Sequence, residues 1–269
     1  MRTSRGTAVR TSTLAIAVVA ILAGCGSTGK NGVATKGTGA IVATAEDAVV
    51  AANSVHVQGQ FTTGAEHVAL DLRLVKDKGA AGTVTIGGEV IELLRIGPDV
   101  YVKGDEKFYR SVVARFGDGA SPSAPASGAS SAPRNTTPSG ASASPKSAAS
   151  TPGDIAVSAM QVNYLHIGPA DPQYQTFASL TDPRQLVQQI MQGVGSLDKD
   201  GQKDIRGTKS IVLSGTKDSR VYVAIDGSPW LLRVLPPGGG TLDFLDYDSP
   251  VTLAPPPAAQ VVDIAKIAK

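Results

Sequence analysis

From residue 68 the chain reads Val-Ala-Leu-Asp-Leu-Arg-Leu, and this alternation constrains the fold more than any other stretch. Side chains of a β-strand point to opposite faces at a period of two. Val68, Leu70, Leu72 and Leu74 therefore share one face and Ala69, Asp71 and Arg73 the other, which predicts a half-buried antiparallel strand. Val55-His56-Val57-Gln58 leading to Phe61 behaves likewise, and Val84 and Ile86 alternate with Thr83 and Thr85. Gly87-Gly88 turns the chain into a strand over residues 89–96, and Gly97-Pro98-Asp99 into one over 100–103. Further strands are predicted over residues 164–167, 210–213, 221–225, 230–235, 241–247 and 251–253, with Asp226-Gly227 as a hairpin turn. Short strands at about ten-residue spacing describe a large antiparallel sheet or barrel.

Helical periodicity interrupts this series. Ile41, Ala45, Ala48, Val49 and Ala52 fall on one helical face. A second helix has Asp182 as N-cap, Pro183 in its first turn, and Gly193 and Gly195 at its end. Its stripe of Leu186, Val187, Ile190, Met191 and Val194 lies opposite Gln185, Gln188, Gln189 and Gln192. A last short helix after Pro255-Pro256-Pro257 would place Val261, Ile264 and Ala265 on one face.

The N-terminus carries an address. Arg2, Arg5 and Arg10 precede an apolar run from Leu14 to Leu22, which ends in Leu22-Ala23-Gly24-Cys25. A basic start, a short apolar core and a small-residue cleavage site form a secretory leader, and the run is short of the roughly 20 residues a spanning helix needs. Leu-Ala-Gly-Cys resembles the lipobox of bacterial lipoproteins, which implies cleavage after residue 24 and diacylglycerol on the Cys25 sulfur. The alternative is an ordinary secretory leader with an incidental thiol. Cys25 is the only cysteine, so disulfides are excluded and an apolar core must stabilise the exported domain. Losing the leader arginines leaves 22 basic against 23 acidic residues, a mature charge near −1. That balance argues against a nucleic-acid partner, and against membrane attachment by charge.

Two stretches have little to bury. Residues 25–39, rich in Gly, Ser, Thr, Lys and Asn, read as a flexible tether. Residues 117–153, almost wholly Ala, Ser, Pro and Gly, read as a disordered insertion. Two small domains are one reading of that break. A single domain over residues 40–116 and 154–269 is favoured, because loop closure costs only about 0.6 kcal/mol per doubling of length.

No catalytic constellation is present. His56, His67 and His166 have no spacing that suggests a shared metal site, there is no Gly-x-Ser-x-Gly elbow, and Gly238-Gly239-Gly240 leads into a strand and not a helix. This counts against an enzyme, and no cofactor is called for. Apolar supply stands out instead: residues 89–96 are apolar on both faces, with Val90, Leu94 and Ile96 on one and Ile91 and Leu93 on the other. An inner face of this kind either seals against the 186–194 helix or encloses an apolar ligand.

Several segments resemble one lipoprotein family. Ser54-Val55-His56-Val57-Gln58-Gly59, Leu70-Asp71-Leu72-Arg73-Leu74 and residues 92–103 look like the first half of the LppX/LprG group of mycobacterial and related actinobacterial lipoproteins. Leu180-Thr181-Asp182-Pro183, residues 222–227 and Pro250-Val251-Thr252-Leu253 look like its second half. The resemblance implies an α+β fold: a strongly curved antiparallel half-barrel, similar to periplasmic lipoprotein carriers, with helices on its concave face. It also implies a cavity for the acyl chains of an envelope lipid or lipoglycan, on a protein anchored to the outer face of the cell membrane, with a membrane lipid exporter as candidate partner. The 117–153 insertion departs from the compact family pattern. The expected lining is Leu70, Leu72, Leu74, Val84 and Ile86 beneath Leu186, Ile190 and Met191. The rival expectation is a lipid-anchored interaction or sensor module with a sealed core.

Overall fold

The computed structural model describes residues 29–110 and 161–263. Helix α1 (Thr38–Ala51) leads into five consecutive antiparallel strands: β1 (Ser54–Thr63), β2 (Glu66–Val75), β3 (Gly79–Ile86), β4 (Glu89–Ile96) and β5 (Asp99–Gly104). After the insertion come β6 (Tyr164–Ile167), helices α2 (Tyr174–Leu180) and α3 (Pro183–Val194), then β7 (Asp198–Ile205), β8 (Thr208–Ser214), β9 (Arg220–Ala224), β10 (Leu231–Leu235), β11 (Gly240–Leu245) and β12 (Val261–Asp263). All twelve strands form one open sheet in the order β12-β6-β5-β4-β3-β2-β1-β11-β10-β9-β8-β7. The chain is thus an α+β protein built on a half-barrel: the alternation led us to expect a large antiparallel sheet, and the family resemblance implied the half-barrel.

The register follows from the period-two pattern. Leu70 sits opposite Gly59 and Val84, and Leu72 opposite Val57 and Gly82, so one face collects the apolar side chains. That face holds Val55, Val57, Leu72, Leu74, Leu93, Val102, Leu165, Leu213, Val223 and Phe244, all nearly inaccessible. Ile41, Ala45 and Val49 of α1 and Leu186, Val187 and Val194 of α3 join the same core. Asp182 caps α3 by accepting from the Gln185 amide at 2.9 Å, as its sequence position predicts. A smaller cluster of Ile205, Val212, Tyr222, Ala224 and Leu232 lies apart from it, with Trp230 packed against it.

Several local expectations are corrected. β7 reads Asp-Lys-Asp-Gly-Gln-Lys-Asp-Ile and has seven exposed residues of eight, so no apolar period announces it. It is an edge strand, and its charges blunt a free edge against stray pairing. Residues 251–257 form neither strand nor helix, since Pro250 and Pro255 to Pro257 cannot donate to a ladder. The last helix is reduced to one 3-10 turn at Ala258–Gln260, and β-branched Val261 and Val262 instead enter β12, parallel to β6. Ile264 and Ala265 lie outside the described residues, as do the 117–153 insertion and Cys25.

Part of the segment read as a slack tether is docked. The Asn31 amide N–H donates to the Ile225 carbonyl at 2.9 Å, its side chain donates to the Ala224 carbonyl at 3.0 Å, and Val33 is only 1% exposed. Composition concealed this, because one buried valine and one asparagine side chain suffice to hold the strand-like entry.

Candidate functional site

One end of the sheet leaves a cavity between α3 and the inner face. β1, β3, β5 and β10 run toward this end, and β2, β4 and β11 run away from it. Phe61, Thr62, Val68, Leu70, Val84 and Ile86 meet there as cross-strand neighbours, and Val68 pairs with both Phe61 and Ile86. Leu242 lies beside them on β11, the Pro236-Pro237 turn closes one side, and Leu186, Gln189, Ile190 and Gly193 of α3 with Leu180 of α2 roof the space. The cavity is about 270 Å³ and mostly apolar, with Thr62 and Gln189 as its polar side chains.

Glycine lets two strands beside the cavity approach closely. Inner-face position 59 has no side chain and lies between Leu70 and Leu242. It has φ +150°, and an added Cβ would stand 1.9 Å from the Thr241 carbonyl oxygen. Only glycine fits so close a strand crossing.

The expected lining is partly brought together. Leu70, Val84, Ile86, Leu186 and Ile190 all face the cavity. Leu72 and Leu74 do not: both are 0% exposed and belong to the sealed core further along β2. Met191 is half-buried against that core and also stays out of the lining, because the apolar stripe of α3 is wide enough to serve two neighbours. Sequence reasoning missed Phe61, Val68, Leu180, Leu242 and the two prolines. Phe61 and Val68 were legible as inward positions, whereas the prolines come from a turn whose place over the cavity only the sheet order sets.

Elsewhere the polar chemistry is internally matched. His56 Nε2 lies 2.7 Å from Asp71 and its Nδ1 3.3 Å from Asp246, while His166 Nε2 lies 2.8 Å from Asp99. Asp243 sits 2.7 Å from Arg206 and 2.6 Å from Arg233. Burial raises its pKa, but hydrogen bonds from Arg233 and Arg206 and their charges outweigh burial and hold it below the usual value. The Tyr164 hydroxyl donates to Glu92 at 2.6 Å, and burial together with that carboxylate pushes its pKa to about 12. Among the described residues no group of three His, Cys, Asp or Glu side chains could hold a metal ion, and no helix is long and apolar enough to cross a membrane. A second, polar cleft at the start of α3 is lined by Lys76, Lys78, Arg95 and Arg184 with Asp77 and Asp182.

No family model matches the sequence, and no curated protein matches it. Among solved structures the chain is similar to the lipoprotein LppX of Mycobacterium tuberculosis, at 17% identity and TM-score 0.43, covering 81% of this chain and 100% of that one. It is also similar to LprF of Mycobacterium bovis, at 14% identity and TM-score 0.43, covering 86% of this chain and 99% of that one.

Proposed function

We propose that this chain is a lipid-anchored envelope protein that binds acyl chains under α3 and carries or presents them, without acting as an enzyme. The cavity supports this reading most directly: about 270 Å³ of apolar space, open at one end of the half-barrel. Ligand sites run from roughly 300 to 1,000 Å³, so the cavity as it stands holds a stretch of acyl chain and not a whole multi-chain lipid. Binding by burial would stabilise the complex by about 0.8 kcal/mol per CH₂ and needs no cofactor. Thr62 and Gln189 would meet the polar end of the ligand. Diacylation at Cys25 would keep the domain on the outer face of the cell membrane, near a lipid pool and within reach of a lipid exporter. A Cys25→Ala form purified from the native host and analysed by mass spectrometry tests the reading. Co-purified acyl lipid, lost from a cavity-filled variant, is the expected result, and its absence from the native domain would refute carriage.

A further inference from the structure

The chain between the candidate anchor and the folded domain is too short to let the cavity face the anchoring membrane end-on. The Gly29 carbonyl accepts from the Gly227 amide at 3.1 Å, Lys30 pairs with Asp226, and Asn31 bonds Ala224 and Ile225. These partners form the turn between β9 and β10, at the opposite end of the sheet from Phe61 and Pro236. Three residues lie between Cys25 and Gly29, and the four steps reach about 14 Å at full extension. From Ser54 to Phe61, β1 spans about 23 Å at 3.3 Å per residue.

We propose that residues 29–36 are a docked strap that orients the domain, holding the β9–β10 turn toward the bilayer and the cavity mouth away from it. This rests on the anchor and carrier reading given above, and it narrows that reading. Lipid then enters or leaves at the mouth toward a second envelope component, and not by direct extraction from the anchoring leaflet. The strap's attachments lie outside the ladder of the twelve-stranded sheet. They are the Gly29–Gly227 bond and Lys30–Asp226 bridge, the Asn31 hydrogen bonds, Val33 in the core, and a Lys199 Nζ bond to the Ala34 carbonyl at 2.9 Å. Once they release, the chain leaves the domain from Thr38, thirteen residues from Cys25, with a reach of about 45 Å. That reach exceeds the length of β1, so strap release lets either end of the half-barrel approach the membrane.

Energy transfer on the full-length, lipidated protein in bilayer nanodiscs tests this, with acceptor dye on the lipid headgroups. The donor sits on Ala65→Cys, in the exposed turn after β1 at the mouth end, or on Lys78→Cys, in the exposed turn after β2 at the other end. Transfer from position 78 should exceed that from position 65 several-fold. Substituting Asn31→Gly with Val33→Asp should bring the two together. A Gly/Ser insert between Gly26 and Ser27, which leaves the strap untouched, should raise transfer from position 65 as well. Equal transfer from both positions in the native strap overturns the proposal, as does indifference to both the double substitution and the insert. The readout does not depend on bound lipid, so the orientation can stand if carriage fails. If the native protein washes off bilayers as Cys25→Ala does, the anchor fails and the orientation with it.

Discussion

Filling the cavity from its roof separates ligand binding from stability. Ile190 lies half-buried on α3 and lines the cavity, so Ile190→Trp pushes an indole into space the protein itself does not use. The cavity volume of about 270 Å³ corresponds to about nine units of ~30 Å³, the volume share of one water molecule and near that of a methylene. Nine buried methylenes contribute about 7 kcal/mol at 0.8 kcal/mol each, before the cost of association. An indole exceeds the isoleucine side chain by on the order of two methylene volumes, removing about 1.6 kcal/mol of that burial. At 1.4 kcal/mol per tenfold change, affinity should fall roughly fifteenfold. Displacement of a fluorescent fatty acid from delipidated protein reads the affinity, and thermal unfolding reads the fold. The reasoning is refuted if Ile190→Trp binds like the native protein while its unfolding midpoint is unchanged. It is also refuted if the variant cannot fold at all, because a residue facing open volume has room for the ring.

Leu72 provides the converse case, since it lies in the sealed core and not on the cavity. Leu72→Ala should cost about 2–5 kcal/mol in urea unfolding, with lipid content per folded molecule unchanged; a selective loss of lipid would return Leu72 to the lining. Gly82→Ala would set a Cβ 1.9 Å from the Asp71 carbonyl oxygen at φ +154°, and should destabilise by more than about 1 kcal/mol in the same assay. Asp243, whose pKa is held down by Arg233 and Arg206, contributes stability above its unfolded pKa of about 3.9, and that stability is lost as pH falls through the lower folded value. Thermal midpoints of Asp243→Asn should therefore be lower than native at neutral pH and less sensitive to acid below about pH 4; parallel acid profiles would show that the pair is inert.

What the sequence discloses here is local, and what it withholds is set by distance along a shared face. Period-two alternation makes Leu70, Leu72 and Leu74 equivalent, because all three point the same way from β2. Nothing in that period says where along the strand the covering helices stop. Leu70, Leu72 and Leu74 all belong to the core that α1 and α3 join, but only Leu70 also lines the cavity, so a two-residue step decides which of them a ligand would touch. The same limit explains Met191: a 3.6-residue period gives the breadth of a stripe but not which neighbour each flank touches. β7 was invisible for another reason. Its pairing with β8 is made by backbone groups, which leave no apolar signal, and only Arg206-Gly207, with φ of +49° and +80°, marks the turn that builds it. The docked strap combines both limits, since one buried valine among glycines has no period and its receptor lies nearly two hundred residues away. Features that depend on one element's own side chains were therefore readable from the sequence. The cavity and the strap are properties of ends, where separate elements stop relative to one another, and that is where sheet order and helix length decide.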